Sequence, residues 1–312
     1  MKKNREQQMI EVSKMYYEKN YSQKEISKIL DISRATVSRL LDDAITNNIV
    51  TIKVNDYSSE QEEIEDKLKD KYQLKAVKVA NIVDESYDAI LKTLGKKAAS
   101  HLGETIVDND IIGISWGTTM YHVANNLTRV EFKNVRVVQL KGGISQSLRK
   151  TYSFETVLGF SKAFQTEPIL LNLPVIFENQ QVLDLVTQES QTKEVIELGK
   201  KANVAIYTVG TVRDEALLFQ LNYLTPKEID YLKEYAVGDI CSRFFNEKGD
   251  VASDEINNRT IGIQLDELKQ KERSIMVAGG AHKFEAIYAA INAKLCNEIV
   301  VDIVTAKALL EV

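Results

Sequence analysis

The sequence predicts an α/β protein in two parts, a small helical domain over residues 1–55 and a large domain of alternating strands and helices over residues 56–312. Three observations predict it. From residue 76 onward, short Val/Ile-rich runs recur with helix-like segments between most of them, the pattern of a parallel or mostly parallel sheet covered on both faces. Before residue 50, helix-start signals and apolar residues at helical spacing dominate instead. Charge divides along the same line. Residues 1–55 hold ten Lys/Arg against seven Asp/Glu, a net of +3 that leaves −8 for the rest of a chain whose total is −5. A basic module on an acidic body suits phosphate contact by the smaller part. The length of 312 residues fits one small and one large domain, and 44% hydrophobic residues supply a core for each.

Composition excludes several classes. Cys241 and Cys296 are the only cysteines, too few for a disulfide framework, so a reducing cytoplasm is expected. No run of ~20 apolar residues offers a bilayer span, and no signal peptide opens the chain, so no membrane partner is expected. His101, His122 and His282 show no metal-ligand spacing with the cysteines. No metal and no cofactor is expected.

In the small domain, residues 5–19 read as a helix with Met9, Ile10, Val12 and Tyr16 on one face. Ser22 with Glu25 three residues on forms a capping box for a second helix. Asp31-Ile32-Ser33 interrupts it, and Ser33 caps a third helix running through Leu41. Ile49–Val54 alternates like a strand. Helix, helix, tight turn, helix, strand is the order of a winged helix-turn-helix. Ile26, Ile29, Leu30, Ile32, Val37 and Leu41 would form its core. With Val37 and Leu40 inward, Arg34, Thr36, Ser38 and Arg39 face outward on the helix that enters a major groove in such modules. Arginine pairs with guanine in two-pronged fashion, and hydroxyls reach bases or phosphates. Ser22, Gln23, Ser33, Arg34, Thr36, Ser38 and Arg39 are therefore the candidate DNA contacts. The plainer reading is a three-helix bundle with surface arginines.

Residues 55–62 are polar and mark the boundary; a charged helix follows to about Tyr72, as a spacer, a dimer contact or a solvated face of the large domain. Strands are expected at Ala76–Ala80, Ile111–Ser115, Val135–Leu140, Ala205–Val209, Ile275–Ala278 and Ile299–Val304. Ligands of open α/β sheets bind at strand C-termini, and three of these ends carry unusual chemistry. Ser115-Trp116-Gly117-Thr118-Thr119 runs from a strand into a helix start, either an ordinary Gly-Thr cap or an anion site built from backbone N–H groups and hydroxyls. Gln139-Leu140-Lys141-Gly142-Gly143 ends an apolar strand in a lysine, either a snorkelling side chain beside turn glycines or a desolvated, nucleophilic amine. Ala278-Gly279-Gly280-Ala281-His282-Lys283 brings Lys283 as counter-charge for a phosphate, with His282 at the surface. Val209-Gly210-Thr211 and Val237-Gly238-Asp239 are lesser strand ends, where Asp239 either accepts a sugar hydroxyl or stabilises a turn.

Together these motifs resemble the SorC family of sugar-responsive bacterial regulators across essentially the whole chain. Thr118 stands where many members carry Arg, which points to the branch that answers to deoxyribonucleosides. The resemblance implies a Rossmann-like effector domain folded like phosphosugar isomerases, a homo-oligomer (dimer or tetramer), and a repressor that leaves operator DNA when a phosphorylated sugar binds. Deoxyribose 5-phosphate is the effector it suggests. Carried over by motif, Gly117, Thr118, Thr119 and Lys283 would hold phosphate, and Gly142 and Gly143 would let the sugar approach the backbone. Lys141, Gly210 and Asp239 complete the candidate set, with a Schiff base from Lys141 to the open-chain aldehyde as the sharpest expectation. The rival is a phosphosugar isomerase or aldolase with a regulatory helix-turn-helix, for which Glu155, Asp239 and Glu285 are candidate acids or bases by composition alone.

Overall fold

The computed structural model describes residues 5–47, 49–50, 57–82, 84, 86–144 and 150–312. The chain divides into two compact units, Met1–Asp56 and Tyr57–Val312.

The small unit is helical because its sequence supplies a cap wherever a helix must start. α1 (Arg5–Ser13) continues into one turn of π-helix over Lys14–Glu18. α2 (Gln23–Leu30) begins on Ser22, whose Oγ accepts the Glu25 N–H at 3.3 Å while the Glu25 carboxylate accepts the Ser22 N–H at 2.8 Å. Asp31 ends it in the left-handed region at φ 50°. Ser33 then accepts the Thr36 N–H at 3.1 Å and starts α3 (Arg34–Thr46). Met9, Val12, Met15, Ile26, Val37, Leu40, Leu41 and Ala44 form the core, with Leu30 and Ile32 against it.

Three expectations fail here. Ile29 is 57% exposed, because α2 buries only a narrow stripe through Ile26 and Leu30. Ile10 and Tyr16 are exposed as well, and Met15 takes the inward place. Ile49 and Val50 do not open a strand: both donate to the Ala44 carbonyl, at 2.8 and 3.0 Å, and so close the C-terminus of α3. The rest of the expected wing, residues 51–54, lies outside the described residues.

The large unit begins with α4 (Tyr57–Tyr72), β1 (Ala76–Ala80), α5 (Tyr87–Thr105), β2 (Ile111–Ile114), α6 (Thr118–Asn126), β3 (Arg136–Gln139), α7 (Ser153–Ala163) and the short β4 (Pro168–Ile169). Helices α8 (Gln180–Gln188) and α9 (Ser190–Lys201) lead to β5 (Val204–Tyr207). An excursion follows through β6 (Val209–Gly210), α10 (Pro226–Tyr235), β7 (Gly238–Ile240), β8 (Arg243–Phe245), α11 (Asp254–Asn257) and α12 (Leu265–Lys269). The chain then returns through β9 (Arg273–Val277), α13 (Phe284–Asn292), β10 (Glu298–Asp302) and α14 (Ile303–Glu311).

Seven strands form one parallel sheet in the order β1-β10-β9-β5-β2-β3-β4. Every residue of β5 and β10 is buried, as expected for strands covered on both faces. One core holds Val79, Tyr207, Met276 and Ile299; another holds Ile112, Val204, Ile275 and Val300. Alternate residues of a strand point to opposite faces, so neighbouring positions feed different cores. α4 belongs to this unit: it buries Ile64 and Leu68, and its Glu65 carboxylate accepts the Val79 N–H at 2.7 Å.

The six expected strands are present, with two shifts at their ends. Val209 leaves the large sheet and pairs in an antiparallel sheet, β6-β7-β8, so Gly238-Asp239 opens a strand rather than ending one. Ile303 and Val304 are helical because the Asp302 carboxylate accepts the Val304 and Thr305 N–H groups and caps α14.

Candidate functional site

Strand order reverses at β2. The chain moves from β2 outward to β3 and β4, then crosses to β5 on the other side. Such a switch point leaves a crevice outside the strand ends, and a cavity of about 210 Å³ lies there. Lys141 from the end of β3, Trp116 to Thr119 after β2, Thr208 to Thr211 after β5 and Lys283 after β9 all line it. Asp239 enters from β7, and Tyr87 and His282 stand at its wall.

Lys141 is 5% exposed. Its backbone is fixed by an antiparallel bridge to Gly262, where φ is +122° and an added Cβ would stand 2.3 Å from the Leu140 carbonyl oxygen. The amine lies 3.6 Å from the Trp116 ring centre and donates to Ser242 Oγ at 3.1 Å. Burial lowers its pKa from the ordinary lysine value, against the opposing pull of Asp239 and Cys241. Burial likewise raises the Asp239 pKa, while Lys141, the Ser242 N–H and Lys283 oppose it. Asp239 pairs across the small sheet with Gly210, and a Cβ at 210 would meet its Oδ1 at 2.0 Å. Gly210 therefore makes room for the carboxylate.

Gly117, at φ 133°, starts α6 without a side-chain cap. The first-turn N–H groups have no partners within the helix, and Thr118 and Thr119 line the same cavity. Lys283 is buried in the turn after β9, 5.9 Å from the Tyr87 ring centre. That turn is held by Asp302, whose Oδ2 accepts the Gly280 N–H at 2.8 Å.

Gly142 and Gly143 do not line the cavity. A Cβ on Gly142 would lie 2.6 Å from the Leu173 carbonyl oxygen, and one on Gly143 would lie 1.9 Å from Ser153 Oγ. Both glycines are closely packed against the protein itself, with no room for a side chain at either position. Gly142 still reaches the site indirectly, since its carbonyl accepts the Trp116 indole N–H at 2.7 Å. His282 is half-buried rather than on the surface and meets Tyr87 edge to face at 4.5 Å. Burial, Lys283 and Arg213 all lower its basicity. Glu155 and Glu285 are exposed on α7 and α13, outside the cavity.

Sequence reasoning missed Trp116 as a lining residue, although a lone tryptophan at a strand end was a usable signal. It also missed Ser242, for which no local pattern exists. A larger cavity of about 520 Å³ lies between α8, α9 and residues 257–267. It has weaker chemistry: Lys200 is paired with Glu197 and Glu267, and Arg243 donates to carbonyl oxygens. Among the described residues no group of three His, Cys, Asp or Glu could hold a metal ion, and no helix is long and apolar enough to cross a membrane.

On the small unit, α3 exposes Arg34, Thr36 and Arg39, with Ser38 half-buried. The Ser33 and Thr36 hydroxyls bond each other at 2.8 Å. Both the N–H and the hydroxyl of Ser22 are engaged by Glu25, and Gln23 is half-buried beside it. Arg5 pairs with Asp43 at 2.6 Å, tying α1 to α3.

Residues 57–311 match the family model described as a putative sugar-binding domain, and residues 4–47 match sigma-70 region 4. The chain is 47% identical over 309 residues to the deoxyribonucleoside regulator of Bacillus subtilis (strain 168), covering 99% of both. It is 29% identical over 307 residues to the sorbitol operon regulator of Klebsiella pneumoniae, covering 97% of both. The crystal structure of the full-length sorbitol operon regulator SorC from Klebsiella pneumoniae matches with a TM-score of 0.75 at 27% identity, covering 99% of both chains.

Proposed function

We propose, from the premise that the chain belongs to the SorC family of sugar-binding transcriptional regulators, that it is a repressor of deoxyribonucleoside catabolism genes released from DNA by a phosphorylated sugar. One observation carries the reading. A buried lysine amine faces a cavity at the switch point of a parallel sheet, in a chain that also bears a helix-turn-helix.

Deoxyribose 5-phosphate suits the cavity chemically. Its phosphate is held by the N-terminus of α6 with Gly117, Thr118 and Thr119, and by Lys283. Asp239, given room by Gly210, accepts a sugar hydroxyl. The open-chain aldehyde meets Lys141, whose amine burial keeps available as a nucleophile; nitrogen adds to the carbonyl carbon and water leaves as the Schiff base forms. On the DNA side, Arg34 and Arg39 read base edges, Thr36, Ser38 and Gln23 make polar contacts to bases or backbone, and Ser22 and Ser33 set the helix starts. The protein works in the cytoplasm as a homo-oligomer on paired half-sites. Release follows because the sugar binds the weakly DNA-binding state more tightly.

The test is binding to the DNA fragment upstream of the gene, at one fixed salt concentration, with and without deoxyribose 5-phosphate. Binding abolished by the sugar is expected. Binding indifferent to it would replace this sugar with another phosphorylated one. A lysine beside a buried carboxylate also suits an aldolase or isomerase, so turnover of deoxyribose 5-phosphate is measured on the same preparation; sustained product formation would favour the enzyme over the regulator.

A further inference from the structure

β7 and β8 are joined by a two-residue hairpin turn, with Ile240 opposite Arg243 and only Cys241 and Ser242 between them. Both turn residues have positive φ, 51° and 68°. A turn of this hand favours Asn-Gly, and two consecutive side chains with a Cβ in the left-handed region are uncommon. Such strain persists only where the surroundings impose it, and it gathers at functional sites.

The surroundings are specific. Ser242 Oγ accepts the Lys141 amine at 3.1 Å, and the Ser242 N–H donates to Asp239 Oδ2 at 3.0 Å. The next residue, Arg243, donates to the carbonyl oxygens of Asn257, Thr260, Gly262 and Ile263 at 2.6–3.0 Å. Gly262 is the bridge partner of Lys141. One hairpin therefore fixes both the backbone and the amine of Lys141, and it sets a carboxylate beside them. The other carboxylate oxygen, Oδ1, lies against Gly210, and Lys141, Gly210 and Asp239 face one cavity.

We infer that Asp239 is the acid that expels water as Lys141 condenses with the sugar aldehyde, and that Ser242 is the positioning residue that aims the amine. The inference deepens the reading of Lys141 given above and rests on it. The neutral amine adds to the aldehyde carbon, and one of its protons moves to the oxygen to give a carbinolamine. Protonated Asp239 gives its proton to that hydroxyl, which departs as water while the nitrogen lone pair closes the C=N bond. The products are an iminium on Lys141, a carboxylate on Asp239 and one water. Burial favours the neutral amine and the neutral acid with which the sequence of steps begins.

The full chain is mixed with saturating deoxyribose 5-phosphate, cyanoborohydride traps the adduct at timed points, and intact mass gives the limiting rate. Saturation separates this rate from any loss of affinity. Asp239→Asn should slow it about 100-fold, the usual contribution of a placed acid. Ser242→Ala, which keeps the backbone N–H to Asp239, should slow it by about tenfold through misplacement of the amine. An Asp239→Asn chain that labels as fast as the unsubstituted one overturns the acid and leaves the covalent reading of Lys141 standing. Equal labelling of Ser242→Ala overturns the positioning role. No adduct on the unsubstituted chain overturns both the covalent reading and this one. Should Asp239→Asn fail to fold, the pH profile of the unsubstituted chain decides. A rate that rises and then falls with pH is expected, and one that only climbs overturns the acid.

Discussion

The two units solve opposite problems with polar groups. On the small unit Arg34, Thr36 and Arg39 are exposed, and the bonds that organise α2 and α3 are local, each cap reaching three residues along the chain. In the cavity at the switch point Lys141, Asp239 and Lys283 are buried, and Lys141 bonds Ser242, a residue 101 positions away that also donates its N–H to Asp239. Exposed groups act nearly independently, whereas buried ones share partners and respond together. The DNA surface should therefore weaken by increments under substitution, and the cavity should lose its response whole.

The largest effect is expected at Lys141. Lys141→Met should remove sugar-driven release and all trapped adduct while operator binding without sugar is kept, read by gel shift with and without deoxyribose 5-phosphate. A substituted chain that still releases DNA on sugar addition would make the site as divisible as the DNA surface. Next comes a charge network at the opposite end of the sheet. Burial acts to raise the Glu298 pKa, but hydrogen bonds from His101 and Arg273 and the guanidinium charge hold it at about 2, against 4.5 ordinarily. A carboxylate lowered in this way stabilises the fold above its unfolded pKa, and that contribution drains away as pH falls from 4.5 towards 2. Urea midpoints should drop across that window, and Glu298→Gln should flatten the drop.

Arg39→Ala should cost operator affinity about 1–3 kcal/mol with sugar binding unchanged. Titration of both ligands on the same chain checks it, and any loss of sugar affinity would contradict the independence of the exposed set. The smallest effect belongs to the capping box. Ser22→Ala should lower the stability of the small unit by about 1 kcal/mol, seen as an earlier melt of that unit.

The same contrast explains what could be read from residues alone. Helix caps and Val/Ile runs are signals written within a few positions, so α2, α3 and six of the seven strands of the parallel sheet were legible, as were Lys141 and Lys283 at strand ends, whereas the two-residue β4, opened by Pro168, carried no such run. Ile29 and Ile10 misled because apolar spacing marks a face without saying how much of it a short helix buries. At Gly142 and Gly143 the sequence could not tell a glycine needed for close packing from one needed by a ligand, and the packing against Leu173 and Ser153 became visible only in the fold. Ser242 was invisible because its role depends on a strained turn meeting a lysine from another strand.

The bond from the Trp116 indole to the Gly142 carbonyl has one more consequence. It fixes the chain's single tryptophan with the Lys141 amine 3.6 Å from its ring. A proton gained or lost on that nitrogen, or a carbon attached to it, alters the field on the indole directly. The protein thus carries a built-in optical reporter, and its intrinsic emission should shift as the cavity fills, with no dye or label required.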